Sequence, residues 1–217
     1  MNNQSSLWED AWRRLLANKA AVSGGIILLL LITLAIFAPW IAPHSYSYQN
    51  LNLGAQPPSS DFLLGTDTLG RDLFSRILYG ARVSLLVGFV ATAVALVIGV
   101  SWGIIAGYFG GRVDSIMMRI VDVLYGLPFI IFIILLMVIF GRNIWLLFGA
   151  IGAVEWLTMA RIVRGQVLTI KNQEYVLAAQ AMGVSNVQMF RKHIFPNILG
   201  PIAVYVTLTI PQVMLLE

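Results

Sequence analysis

The sequence predicts an all-α protein, a polytopic bundle of transmembrane helices, and three observations predict it. Hydrophobic residues make up 59% of the chain and charged residues 11%, where a water-soluble domain carries about a quarter charged residues. The mean hydropathy is +0.83. The apolar residues are gathered into charge-free runs of bilayer length, and the polar segments between them hold nearly all the ions. The chain has no cysteine, which removes disulfide frameworks, thiol nucleophiles and cysteine-ligated metal sites. Its formal net charge of +4 is explained by where the cations lie relative to a membrane and calls for no nucleic-acid partner.

Residues 1–19 read as a cytoplasmic interfacial helix. Ser6 and Glu9 make a capping box, while Trp8, Ala11, Trp12 and Leu15 share one face. The tryptophans suit headgroup depth, with Arg13, Arg14 and Lys19 toward the cytoplasm. Residues 20–42 carry no charge, and at about 1.5 Å per residue they reach roughly 34 Å, enough for a first span. A secretory signal would have a shorter apolar region, about 7–15 residues, followed by a small-residue cleavage site, so a retained helix is expected. Pro43, Pro57 and Pro58 punctuate an outer loop over 43–82. Inside it, Gly65 and Gly70 suit tight turns, Asp67 or Thr68 caps a short helix, and Asp72 with Arg76 forms an i,i+4 pair.

The second span, about 83–108, carries Ala91, Ala95, Gly99, Gly103 and Gly107 at four-residue intervals. Such a stripe lets a second helix approach closely, so Gly99, Gly103 and Gly107 are helix-packing residues. None of these glycines is followed by the lysine and hydroxyl residue of a phosphate-binding loop. Gly110 to Ser115 return the chain to the cytoplasm, and a third span follows at about 120–140, kinked at Pro128. After an outer turn at Gly141, Arg142 and Asn143, a fourth span at about 144–160 contains Glu155, the one acidic residue well inside an apolar run. A charged carboxylate at a helix centre costs about 2.5–3.5 kcal/mol on insertion scales, so Glu155 must face protein or water. Either it is structural, reaching the interface or pairing with Arg161, or it lines a substrate path or gate. A fifth span, about 198–217, holds Pro201 and Pro211, whose freed carbonyls can line a cavity. Pro211 and Gln212 are therefore candidates for the same path. The segment is still apolar at its last residues.

Lysine and arginine fall unevenly about these spans. Arg13, Arg14, Lys19, Arg112, Arg119, Arg161, Arg164, Lys171, Arg191 and Lys192 are inside, while Arg71, Arg76, Arg82 and Arg142 are outside. The positive-inside rule then puts the N-terminus in the cytoplasm.

The loop over 161–197 differs from a simple charged connection, because residues 174–197 read as two short helices joined at a glycine. Asn172 caps the first, which has Glu174 in its first turn, and Gly183 takes the left-handed position that stops it. Ser185 and Gln188 form a capping box on the second, and the Phe195-Pro196 pair ends it. Val176, Ala179 and Met182, then Val187, Phe190 and Ile194, recur at helical spacing.

Ala178, Ala179, Gly183 and Pro196 give this stretch a spacing that resembles the EAA loop of permeases in binding-protein-dependent ABC importers, with Leu177 and Phe195 in place of the loop's usual glutamate and leucine. Residues 64–76, LGTDTLGRDLFSR, resemble the LGTDxxGRD element of the oligopeptide, dipeptide and nickel branch of that family. Residues 111–119 (GRVDSIMMR) and 159–166 (MARIVRGQ), with Ser6-Leu7-Trp8 in front, are most similar to the second (C-type) permease subunit of its oligopeptide importers. The resemblance implies a type I ABC importer permease fold with six spans, five in these residues and a sixth expected beyond residue 217. It implies a heterodimer with a homologous permease, two ABC ATPase subunits that bind ATP and Mg, and an extracytoplasmic solute-binding protein. The cytoplasmic loop would dock the ATPase through Glu174, Ala178, Ala179, Gly183, Val184 and Pro196. The chain itself would hold no cofactor and catalyse nothing, and would sit in a bacterial cytoplasmic membrane. Oligopeptides are the implied cargo, with dipeptides, nickel or another small solute as alternatives in the same family.

An ATP-independent secondary transporter is the competing reading, given broken helices and an intramembrane carboxylate. The inverted repeats and clustered midplane polar residues of such proteins are not visible in the sequence. His44 and His193 are the only histidines and lie far apart in this topology, which gives a metal or nucleophile constellation little to build on.

Overall fold

The computed structural model describes residues 7–141 and 143–216. The expected Ser6 cap, Arg142 and Glu217 lie outside the described residues. Among those described, regular structure is helical apart from one isolated antiparallel bridge between Thr66 and Asp72. The helices are α1 (Leu7–Ala17), α2 (Lys19–Ile36), α3 (Ala38–Ile41), α4 (Leu73–Phe109), α5 (Gly111–Tyr125), α6 (Phe129–Phe140), α7 (Ile144–Lys171), α8 (Glu174–Ala181) and α9 (Asn186–Met189). A π-turn (Phe190–Ile194) then leads into α10 (Phe195–Leu216). Lys19–Ile36, Leu73–Phe109 and Asn186–Leu215 are each long and apolar enough to cross a membrane. The chain divides into two compact units, Met1–Leu85 and Leu86–Glu217.

In the first unit, Asn18 separates α1 from α2. Its side chain accepts from the amides of Ala20 and Ala21 at 3.1 and 3.2 Å, satisfying two of the free donors at the start of α2. The α2 side chains at 26–31 are exposed and apolar, as a surface meeting lipid should be. The expected first span to residue 42 is interrupted at Phe37. Pro39 has no amide to continue the ladder, so it falls in the first turn of the separate α3.

The outer loop is tied by its own polar groups. Thr66 is buried; its hydroxyl donates to the Gly54 carbonyl at 2.7 Å and accepts from the Gln56 amide at 2.9 Å. Gly70, at φ +68°, lies so close to Asn50 that a Cβ would come 1.9 Å from its carbonyl oxygen. Only glycine fits there. The expected Asp72–Arg76 pair is not formed. Arg71 pairs with Asp67 at 2.6 Å, while buried Asp72 accepts from the Ser75 amide at 3.0 Å, the Ser75 hydroxyl at 2.5 Å and the Phe74 amide at 3.4 Å. Asp72 is thereby the cap of α4, which starts well before the expected span at 83. Burial pushes the Asp72 carboxyl up, but the donors of Ser75 and Phe74, with His44 nearby, outweigh it and hold the group below its ordinary value of 3.8.

In the second unit α7 is the central element. Met159, Val163 and Val167 on α7 are fully buried against α8, the π-turn and α10 through Val176, Ala179, Ile194 and Ile198. Leu96, Val100 and Ile104 of α4 pack on the same cluster. The glycine stripe of α4 meets α7 without side chains between. A Cβ at Gly99 would lie 2.6 Å from Met159 Cβ, one at Gly103 2.5 Å from the Ala160 carbonyl, and one at Gly107 2.9 Å from Val167 Cβ. Gly152 of α7 returns the arrangement, since a Cβ there would meet Val94 at 2.9 Å.

Two expectations about proline are revised here, and one helix proves longer than its apolar run. Pro128 does not kink one helix but stands at the N-cap of α6, so the expected third span is divided between α5 and α6. A residue before proline avoids the helical region, and the chain breaks at 126–128 accordingly. The helix that holds the expected fourth span, α7, continues past residue 160 to Lys171, where the arginines of its extension find acidic partners on α5. Pro196 does not end a helix. The Phe195 amide donates to the Phe190 carbonyl across the π-turn, and this wider turn makes room for the proline ring at the start of α10.

Gly103→Leu should destabilise the protein by about 1–3 kcal/mol, read as a lowered melting temperature in detergent, whereas Gly165→Ala, with nothing within 4 Å of its Cβ, should not. Asp72→Ala should loosen the outer loop by about 1–3 kcal/mol, seen as faster limited proteolysis of residues 43–72. Because the folded Asp72 pKa is depressed, its contribution is present above about pH 3.8 and is lost as pH falls through the folded value. The acid sensitivity of that protection should therefore be reduced in the variant.

Candidate functional site

Two features lie along α7: a helical hairpin beyond its C-terminal end, and a cavity part-way along it. The hairpin is α8, a glycine turn and α9. Gly183 has φ +78°; its amide donates to the Gln180 carbonyl and that of Val184 to the Ala179 carbonyl, at 3.0 and 3.2 Å. This pair of bonds closes the end of α8 and needs a left-handed residue. Ser185 then caps α9, accepting from the Gln188 amide at 3.4 Å. The expected Asn172 cap is not made: Asn172 ends α7, and Gln173 begins α8 without a side-chain cap.

The hairpin has two faces. Val176, Ala179, Met189 and Ile194 are buried against α7 and α10. Outward stand Tyr175, Leu177 (50% exposed), Met182 (77%) and Val187 (66%). Ala179, expected within a docking knob, is 4% exposed and packs inward. Of the helically spaced residues, Met182 and Val187 stand outside, while Val176, Ala179 and Ile194 turn inward. The spacing does not carry across the turn, because Met182 lies past the last turn of α8 and α9 starts afresh after Gly183. Glu174, Ala178 and Gly183 are exposed, Val184 is half-buried, and Pro196 is exposed in the first turn of α10.

Tyr108, unremarked in the sequence, anchors the hairpin to α4. Its hydroxyl donates to the Asn186 carbonyl at 2.8 Å, and its carbonyl accepts from Lys171 Nζ at 2.7 Å. Two ion pairs join α5 to α7. Arg164 grips Asp114 with two guanidinium nitrogens, Nη2 to Oδ2 at 2.6 Å. Arg161 meets Asp122 at 2.9 Å and lies 4.2 Å from the centre of the Tyr125 ring. Arg161 is thus engaged away from Glu155, and the expected pairing of those two does not occur.

The cavity has a volume of about 510 Å³. Glu155 and Thr158 of α7, Tyr125 of α5, and Tyr205 and Gln212 of α10 give it its polar groups. Leu124, Leu127, Val154 and Leu157 supply apolar walls. Of the three candidate path residues the structure brings Glu155 and Gln212 together, while Pro211 is exposed and outside the lining. Thr158 and Tyr205 were legible as one-turn and two-turn neighbours of Glu155 and Gln212. Among the described residues no group of three or more His, Asp or Glu could hold a metal ion.

A multi-pass helical chain with a partly polar recess between α5, α7 and α10, and an apolar hairpin beyond the end of α7, has the parts of a membrane permease. The chain belongs to the family of binding-protein-dependent transport system inner membrane components, whose model matches residues 99–217. A second model, the N-terminal TM domain of oligopeptide transport permease C, matches residues 6–58. The chain is 50% identical over 212 residues to a dipeptide transport system permease protein of Bacillus subtilis (strain 168), covering 98% of the chain and 66% of that relative. It is 48% identical over 212 residues to an oligopeptide transport system permease protein of the same organism, covering 98% and 70%. With the oligopeptide transport system permease protein of Escherichia coli (strain K12) it shares 46% over 214 residues, covering 98% and 71%. The chain therefore spans about two thirds of the length of these relatives.

Arg164→Ala and Asp114→Ala should each destabilise the α5–α7 contact by about 1–3 kcal/mol. The double variant should cost less than the sum, as a coupled pair requires, and melting temperatures of the three variants in detergent check this.

Proposed function

We propose that this chain is the membrane-spanning permease subunit of an ATP-driven importer that carries oligopeptides across the bacterial cytoplasmic membrane, with its N-terminus in the cytoplasm. Residues 1–19 form the interfacial helix, 20–217 the permease domain, 43–82 the outer loop and 161–197 the coupling segment. The partners are a homologous permease, two ATPase subunits that bind ATP and Mg, and an extracytoplasmic solute-binding protein. The names of the relatives support peptide cargo, and the 50% identical dipeptide permease keeps short peptides within the same reading.

The observation that carries the proposal is the two-faced hairpin. Its inner side is locked to α7 and α10, while its outer side presents Tyr175, Leu177, Met182 and Val187 to the surroundings, with Glu174, Ala178, Gly183 and Pro196 around them. An exposed apolar cluster on a rigid support is a docking surface. Val184 and Ala179 support it from behind. Closure of the ATPase dimer displaces the hairpin, and the rigid packing turns that displacement into a tilt of α7 and α10. The cavity on α7 is then offered to one side of the membrane or the other, as a two-state element biased by nucleotide.

Leu177→Asp combined with Met182→Asp should leave membrane insertion intact and reduce ATP-driven peptide uptake by about tenfold or more, the scale of losing a docking hot spot. A crosslinker placed at Met182→Cys should capture an ATPase subunit. Full uptake by the double variant, or capture of no nucleotide-hydrolysing protein, refutes the reading.

A further inference from the structure

The cavity on α7 is charged in one sense only. Among the described residues Glu155 is its one carboxylate, and no lysine, arginine or histidine lines it. The basic groups further along α7 are already engaged, Arg161 with Asp122 and Arg164 with Asp114. Among the described residues Glu155 has no ion-pair partner, and it is half-buried. A carboxylate held among apolar side chains is unfavourable unless a cation or several donors come to it. The neighbouring hydroxyls and the Gln212 amide are neutral, so among the described residues the site has a place for a cation and no cation of its own. A volume of about 510 Å³ falls in the usual range of small-ligand sites, about 300–1,000 Å³.

We propose that Glu155 binds the N-terminal ammonium of the transported peptide, deepening the importer reading on which it rests. A primary ammonium has three donors and no acceptor. Glu155 provides the charged acceptor, and the Thr158 hydroxyl and the Tyr125 and Tyr205 phenol oxygens provide neutral ones. Gln212 has both a donor and an acceptor for the first peptide bond, and Leu124, Leu127 and Leu157 meet the first side chain without regard to its identity. Such a site reads the feature every unblocked peptide shares and ignores most of what differs.

The test is uptake into vesicles bearing the complete transporter, with wild-type and Glu155→Gln permease compared on the same cargo so that the binding protein's own preference cancels. Glu155→Gln should lower uptake of a lysine-free tripeptide with a free N-terminus by about tenfold, as expected for one charge-assisted hydrogen bond lost in a partly desolvated site. Uptake of its N-acetylated form should be unchanged. Glu155→Asp, which keeps the charge at shorter reach, should retain part of the discrimination and serves as the second measurement should the glutamine variant fail to assemble. An equal fall for both peptides, or no fall for either, overturns the proposal. Sensitivity confined to an N-acetylated peptide carrying lysine overturns the terminal assignment in favour of a side-chain ammonium. Absence of ATP-driven uptake of any peptide by the wild type instead refutes the importer reading itself.

Discussion

The second unit depends on one seam, where the backbone of α4 rests directly on α7. In lipid, burial of apolar side chains gives little net drive between helices, so association relies on dispersion contacts made at close range. Gly99, Gly103 and Gly107 on one side, with Gly152 on the other, remove the side chains that would hold the helices apart. Met159, Val163 and Val167 then fill the space to either side and reach the buried face of the hairpin. The hairpin inherits its placement from that seam, since its inner residues pack on the same α7 side chains that meet α4.

In the proposed mechanism α7 is a shared shaft. Glu155 and Thr158 are part of the cavity, Arg161 and Arg164 clamp α5, and Lys171 reaches the Tyr108 carbonyl beside the hairpin. These attachments follow one another along a single unbroken helix, the geometry that the proposed rigid-body coupling between hairpin and cavity requires. The ionic clamps lie between the two working parts. They give the extension of α7 beyond the apolar run a reason to stay helical.

Much of this was legible from residue order because it follows from composition and backbone chemistry. Charge-free runs located the main helices, the stripe of small residues located the seam, and the left-handed glycine at 183 located the hairpin turn. What escaped was set by partners distant in sequence. Asp72 turned to Ser75 rather than Arg76, and Arg161 to Asp122 rather than Glu155, because the buried donor in one case and the facing helix in the other offered better geometry. Ala179 faces inward because α7 lies beneath α8, a fact no helical wheel of the hairpin contains. Proline was read as a full stop at 196, where a local widening of the helix tolerates it.

That widening has a mechanical result. With no loop between α9 and α10, the run from Asn186 to Leu215 is a lever whose short arm is the second half of the hairpin. Torque applied at the short arm cannot dissipate in slack chain, and must either swing the long arm or be absorbed where Pro201 and Pro211 soften it.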